Sequence, residues 1–155
     1  MNTEHTSRVS AWMPPLAWMM MIFAASTDLG SAAHTSRFIL PLLRWLDPTI
    51  SPHAIALVQF LVRKAAHLTE YAILAALLLR SFSGRITRPR WNYAALAFLI
   101  AASYAAFDEF HQSFVPSRTS SARDVLIDSA GALIGLGICW LFAAWRSHRV
   151  GPAPA

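Results

Sequence analysis

The sequence predicts an all-α integral membrane protein: a four-helix bundle with both termini in the cytoplasm and an outward-facing polar cavity. Hydrophobic residues make up 55% of its 155 residues and charged residues only 14%, against about 25% charged residues in soluble domains. Six tryptophans and a mean hydropathy of +0.42 agree with this class. Four apolar stretches approach or exceed the roughly 20 residues that a membrane-spanning helix needs. The length is that of one domain.

The first stretch, residues 10–27, reads SAWMPPLAWMMMIFAAST. With Arg8 in front of it, this segment also fits a secretory signal. We interpret it as a retained helix, because the rest of the chain is itself membranous and offers no soluble domain to export. Pro14 and Pro15 are expected early in this helix, where a missing N–H costs least. The following residues, 28 to 53, are expected to form an external connection.

The second stretch, residues 53–80, is long and interrupted by charge. It fits either one tilted helix or a short interfacial helix followed by a span from near Ala65, and the sequence leaves both open. The third and fourth stretches are residues 91–110 and 124–145. Residues 146–155 are expected to form a basic, partly disordered tail.

The positions of the arginines predict the orientation of the bundle in the membrane. The segment 80–90 contains Arg80, Arg85, Arg88 and Arg90, and further arginines lie near both termini. The positive-inside rule places these three regions in the cytoplasm and the loop 113–123, like the connection 28–53, outside. Arg37, Arg44, Arg118 and Arg123 in the outer segments weaken this contrast but do not reverse it. Because the basic residues lie mainly in short connecting segments, they do not indicate nucleic-acid binding. The single cysteine, Cys139, excludes an internal disulfide or a thiolate metal site.

Each of the last three stretches carries one polar stripe when its residues are projected at about 100° per residue. A charge at the centre of a bilayer costs roughly 2.5–3.5 kcal/mol. The stripes are therefore expected to face one another and water, in the outer half of the bundle beside the loop 113–123. Their residues are Arg63, Lys64, His67, Glu70 and Tyr71 in the second stretch, Tyr104, Asp108, Glu109, His111 and Gln112 in the third, and Asp124 and Asp128 in the fourth.

Two local features support this cavity. Gly131 and Gly135 form a small-xxx-small pair on the face of the aspartates, a pattern typical of close helix packing. In the loop, Arg118 is expected to fold back over the cavity as a lid or anion clamp, and Ser120 or Ser121 to cap the last helix.

The segments RKAAHLTEYAILAALLL and DEFHQSFVPSRTSSARDVLIDSAGALIG resemble the VanZ-like family of small bacterial membrane proteins. Two positions depart from the family pattern: Ser117 stands where glycine commonly follows the proline, and Asp128 stands where asparagine is usual. The resemblance implies a multi-pass protein of the bacterial cytoplasmic membrane. It also implies a contribution to glycopeptide tolerance, since the family takes its name from a protein associated with low-level teicoplanin resistance.

The polar residues have the chemistry of a site for a lipid-linked or cell-wall precursor, and whether this site is catalytic is left open. His67, Glu70, Asp108 and Glu109 are candidates for general acid or base. The candidates for substrate or anion binding are Arg63, Lys64, Tyr71, Gln112, Arg118 and Asp124. Asp108, Glu109 and Asp128 are candidate ligands of a divalent cation, and their oxygen atoms favour magnesium, calcium or manganese.

Three alternatives remain open at this point. One is a structural ion-pair network, in which Arg63 or Lys64 pairs with Asp108 or Glu109 and Arg118 with Asp124. Another is a small transporter or proton-coupled protein. The third is a non-catalytic protein that binds or shields precursors from antibiotic. The expected partners are the lipid bilayer and a lipid-linked envelope precursor or a glycopeptide, with no nucleic acid and an undetermined oligomeric state.

Overall fold

The computed structural model describes residues 3–27, 32–83, 90–116, 118 and 120–149, with the backbone alone for 3–9, 32–35 and 148. Within these residues the chain is all-α, as predicted. Its helices are α1 Thr3–Ser26, α2 Ala32–Leu46, α3 Pro52–Ser83, α4 Trp91–Gln112 and α5 Ala122–Arg149. The expectations for Arg85, Arg88, Ser117 and the tail beyond residue 149 lie outside the described residues.

Helix α3 is the centre of the bundle and contacts each of the other four helices. Hydrogen bonds from Ser81 to Ala11 and from Trp18 to Glu70 show that α1 runs antiparallel to α3. Helix α5 runs parallel to α3, and α4 returns in the opposite direction. We call the end of the bundle at residues 113–121 the α4–α5 end. The opposite end, where α3 finishes and α4 begins, is the α3–α4 end.

The prediction of four helices is wrong by one, because the expected connection contains α2. Its apolar residues recur at helical spacing, and the helix packs on α3 through a 2.9 Å hydrogen bond from Gln59 Nε2 to Ser36 Oγ. Phe38 and Trp45 point away from the bundle, with 82% and 78% of their surfaces exposed. Such an amphipathic helix with exposed aromatic residues is typical of a membrane interface.

Helix α3 is a single helix of 32 residues, which answers the question left open for residues 53–80. Its start is well defined, because Ser51 Oγ accepts a 3.2 Å hydrogen bond from the backbone N–H of Ala54. Pro52 occupies the first helical position, where its missing N–H removes no hydrogen bond from the helix.

The expectation that Pro14 and Pro15 lie early in α1 is wrong, since the helix begins at Thr3 and both prolines lie inside it. Pro15 has no N–H to donate to the carbonyl of Ala11, four residues earlier. The structure compensates through α3, where the Ser81 hydroxyl donates to this carbonyl at 2.7 Å and shares its proton with the carbonyl of Leu77 at 2.9 Å. The prolines therefore leave a backbone acceptor through which α1 is attached to α3.

The two glycines of α5 allow it to approach α3 closely, as predicted. A Cβ atom at Gly131 would collide with the backbone carbonyl of Leu68, and one at Gly135 with that of Ala72. Gly137 is different, because no heavy atom would lie within 4 Å of its Cβ. Of these three glycines, Gly131 and Gly135 are therefore the two that make the close approach to α3.

Helix α4 and residues 122–147 of α5 are long and apolar enough to cross a membrane. Only 28% and 22% of their most apolar segments are buried in the protein, whereas a core helix of a soluble protein would be mostly buried. Large apolar side chains such as Phe110 and Leu126 are 63% and 70% exposed. These surfaces need an apolar solvent, which indicates a membrane protein.

The same substitution should have different effects on stability at two glycines of α5. We expect Gly135→Ala to destabilise the protein by about 1–3 kcal/mol through overpacking against Ala72, and to lower the Tm by about 2–4 °C per kcal/mol. Gly137→Ala meets open space, so it should leave the Tm unchanged or raise it through helix propensity. Thermal unfolding in detergent measures both, and an unchanged Tm for Gly135→Ala would contradict the close packing.

A double-mutant cycle tests the compensation in α1. Ser81→Ala should cost about 1 kcal/mol, the net value of one hydrogen bond. In a Pro15→Ala background the cost should largely vanish, because residue 15 then supplies the N–H for Ala11. The matched control is Ser83→Ala, whose hydroxyl bonds within its own helix to Leu79 and should show no coupling to Pro15. Equal costs of Ser81→Ala in both backgrounds would contradict this account.

Candidate functional site

Polar side chains of α3, α4 and α5 meet inside the bundle near the α4–α5 end. Among the described residues the buried members are His67, Asp108, Glu109, Gln112, Asp124 and Asp128, each 9% exposed or less. They share the bundle interior with Ser26 from the end of α1. The three predicted stripes therefore face one another.

The deepest contact joins α3 and α5. His67 Nδ1 lies 3.3 Å from Oδ1 of Asp128, whose side chain is fully buried. The glycine packing produces this approach, because Gly131 lies one turn beyond Asp128 and contacts Leu68, the neighbour of His67. Neither Asp128 oxygen has a hydrogen-bond partner among the described residues. A buried carboxyl group in this situation needs a proton or water to offset its desolvation.

The acidic residues of α4 have local partners. Gln112 Nε2 donates a 3.0 Å hydrogen bond to Oδ2 of Asp108 and lies 3.4 Å from Oγ of Ser26. Glu109 Oε2 accepts a 2.8 Å hydrogen bond from the backbone N–H of Ser121. These bonds use one oxygen of each carboxyl group and attach α4 to α1 and to the start of α5.

The turn before α5 is fixed by two serines. Ser120 Oγ donates a 2.9 Å hydrogen bond to the carbonyl of Glu109. Ser121 Oγ accepts a 3.2 Å hydrogen bond from the N–H of Arg123, so Ser121 is the predicted cap. At the first turn of α5, Asp124 forms an ion pair with Lys64 of α3. The Asp124 and Lys64 side chains expose only 12% and 18% of their surfaces.

Arg118 folds back from the loop, but onto α1. Its Nε donates a 3.2 Å hydrogen bond to the carbonyl of Thr27, and its Nη2 donates to the carbonyl of Ala25. Carbonyls at the end of a helix lack partners within the helix, which makes them available acceptors. Burial lowers the pKa of the Arg118 guanidinium, and the nearby charge of Arg63 acts in the same direction. Arginine nevertheless stays charged at neutral pH.

A cleft of about 150 Å³ lies between α1, α3 and the returning Arg118. Its functional groups are Arg63, His67, Glu70 and Arg118, and the lining is completed by Ala25, Ser26, Val62 and Ala66. Arg63 has no ion-pair partner among the described carboxylates. The cleft thus presents two guanidinium groups beside one imidazole and one carboxyl group.

The structure divides the predicted site residues into two groups. Arg63, His67, Glu70 and Arg118 reach the cleft. The others lie behind or beside it: Tyr71 is fully buried in the core, and Lys64, Asp108, Glu109, Gln112, Asp124 and Asp128 make the contacts described above. His111 packs its ring on Phe23 of α1, with ring centroids 4.5 Å apart.

Two pairings expected for a structural network are wrong. Lys64 pairs with Asp124 and not with Asp108 or Glu109, and Arg118 binds carbonyls and not Asp124. In the described part of the chain, no group of three or more His, Cys, Asp or Glu side chains is placed to hold a metal ion. Asp108, Glu109 and Asp128 therefore do not converge as a ligand set there.

Sequence reasoning missed the contribution of α1. The carbonyls of Ala25 and Thr27 hold Arg118, and Ser26 lines the cleft. The available signal was the end of an apolar helix at FAAST, where unpaired carbonyls are expected. That signal does not name the donor that will reach them.

Comparisons with known proteins identify the family of the chain. No curated protein and no solved structure matches the chain. A family model matches residues 11–143, which contain the cleft, the buried acidic residues and the glycine contacts. The match covers most of the chain, and the protein therefore belongs to the VanZ/LLP1 family.

Proposed function

We propose that this protein spans the bacterial cytoplasmic membrane four times, through α1, α3, α4 and α5, with α2 on the outer surface. The distribution of arginines supports this orientation. Arg80, Arg90, Arg146 and Arg149 lie at or near the α3–α4 end, and the positive-inside rule assigns that end to the cytoplasm. Arg37, Arg44, Arg118 and Arg123 on the other side reduce this contrast, but Arg8, Arg85 and Arg88 of the sequence keep the excess with the cytoplasmic segments. The alternating helix directions then bring both termini to the cytoplasmic side and the cleft to the outer side.

We further propose that the cleft binds a phosphate group of a lipid-linked envelope precursor. The observation that carries the proposal is the pair of guanidinium groups on the cleft, one of which, Arg63, has no ion-pair partner among the described carboxylates. Arg118 is held by two carbonyls, so its position is fixed before a ligand arrives. An anion between the two cations would relieve their mutual repulsion and accept charge-assisted hydrogen bonds.

The size and surroundings of the cleft favour a small anionic group on an apolar chain. Its volume of about 150 Å³ is below the roughly 300–1,000 Å³ of pockets for drug-sized ligands. A phosphate group fits this description better than a sugar or a peptide. Val62 lines the cleft and is 43% exposed, so an attached lipid chain can pass from the cleft along α3 into the bilayer.

Of the four proposed acid–base residues, only His67 and Glu70 line the cleft. Chemistry at a bound phosphate group would therefore depend on these two, with Asp128 orienting His67 from behind. Binding alone would already have a consequence for the cell. A precursor held at the outer surface is less accessible to glycopeptide antibiotics, and this is the role that we propose in teicoplanin tolerance.

Substitution of either cleft arginine should weaken binding of a phosphorylated polyprenyl lipid. In nanodiscs or detergent, we expect Arg63→Gln and Arg118→Gln each to raise the Kd for a polyprenyl diphosphate about tenfold or more, since each removes a charge-assisted contact. Arg123→Gln is the matched control, because Arg123 is exposed at the same end but does not line the cleft. Unchanged affinity in both cleft variants would refute the proposed site.

Substitutions of the neighbouring residues Arg63 and Lys64 should affect lipid binding and thermal stability separately. Lys64→Gln leaves Asp124 without its ion pair, so the Tm in detergent should fall. Arg63→Gln breaks no described ion pair and should leave the Tm close to that of the wild type while lipid binding falls. If Arg63→Gln lowered the Tm as much as Lys64→Gln does, Arg63 would have a structural role and the proposal would fail.

A further inference from the structure

A second, larger cavity lies far from the cleft. It is an apolar groove of about 500 Å³ at the α3–α4 end, between the end of α3, the start of α4 and the second half of α5. Leu79, which lines it, follows Glu70 of the cleft by nine residues on the same helix. At about 1.5 Å per residue this separates the nearest α3 residues of the two sites by roughly 14 Å. The proposed cleft function does not use this groove.

Small residues create the groove and large ones form its walls. Ala94 of α4 and Gly137 of α5 leave the space, and the surroundings of Gly137 are open to at least 4 Å from an added Cβ. Phe98, Leu133 and Trp140 line it with apolar surface, and Leu133 is 56% exposed. The groove therefore lies on a surface that faces hydrocarbon if α4 and α5 cross the membrane.

A cation stands at the end of the groove. Arg90, just before α4, is exposed and lines the cavity together with Trp91. Its guanidinium stacks on the ring of Tyr93, with 4.7 Å between Cζ and the ring centroid. Within the described residues no carboxylate pairs with it. The groove thus combines a long apolar surface with one positive charge and one aromatic residue at its terminus.

We propose that this groove binds one acyl chain of an anionic glycerophospholipid, whose phosphate group contacts Arg90. The charge argues for this occupant over a second copy of the chain, because a lipid supplies an anionic group beside an apolar chain in one molecule. The volume suits it too, since about 500 Å³ lies within the roughly 300–1,000 Å³ of pockets that enclose small ligands. Arg80, exposed in the last turn of α3, adds positive charge at this end.

Native mass spectrometry of the full-length protein in detergent tests the site. The probes are phosphatidylglycerol and phosphatidylcholine with the same acyl chains. The wild type should retain phosphatidylglycerol preferentially. Gly137→Phe fills the groove and should reduce retention of this lipid about tenfold, whereas Arg90→Gln should remove the preference over phosphatidylcholine. Arg146→Gln is the control, because this arginine stacks on Phe142 outside the groove.

The Tm and the affinity of the cleft for polyprenyl diphosphate are measured in the same variants. Gly137→Phe should keep the wild-type Tm and its affinity for polyprenyl diphosphate, which separates failure of this site from failure of the cleft. If Gly137→Phe does not fold, Gly137→Leu replaces it as the groove-filling variant. Equal retention of the two lipids by the wild type would overturn the proposal, as would unchanged retention in a folded groove-filling variant. A dimer that is lost in Gly137→Phe would assign the groove to a second copy and overturn it as well.

Discussion

The close contact between α3 and α5 is the constraint on which the site depends. Gly131 and Gly135 leave no room for a Cβ atom against the backbone of α3. This distance allows Asp128 to come within 3.3 Å of His67 and Asp124 to pair with Lys64. Larger residues would separate the helices, and both acidic side chains would then lie in an apolar interior without these partners. The same two glycines therefore allow both the close packing of α3 on α5 and the burial of these acidic side chains beside their partners.

The structure sorts its charges into those that hold the bundle together and those that remain available. Glu109 and Asp108 receive hydrogen bonds from the turn before α5 and from Gln112, and Lys64 is paired with Asp124. Arg63 has no ion-pair partner in the described structure, and Arg118 is bound only to neutral carbonyls. Two guanidinium groups therefore share one small cleft with a single carboxyl group, that of Glu70. This imbalance, more than the total number of charged residues, gives the site its chemical character.

Much of the fold was predictable because it follows from local periodicity and from the cost of placing charge in hydrocarbon. The apolar stretches correspond to α1, α3, α4 and α5, and the glycine pair correctly indicated close packing. Two local predictions were wrong. Residues 28–53 were interpreted as a connection although 32–46 form α2, an amphipathic helix too short for a span. The prolines of α1 were placed near its start, because the sequence does not show that the Ser81 hydroxyl replaces the missing N–H of Pro15.

The sequence by itself determined that the protein is helical and apolar, and which faces of three helices carry polar groups. Those properties depend on residue type and helical spacing, which are local. Only the tertiary structure decided which polar groups are neighbours, because pairing depends on the relative height and rotation of helices distant in sequence. It placed Lys64 with Asp124, left Arg63 in the cleft, and joined Arg118 to carbonyls of α1. The end of α1 indicates unpaired carbonyls, but the sequence does not name the donor that reaches them, so this last contact depends on how the helix ends are brought together.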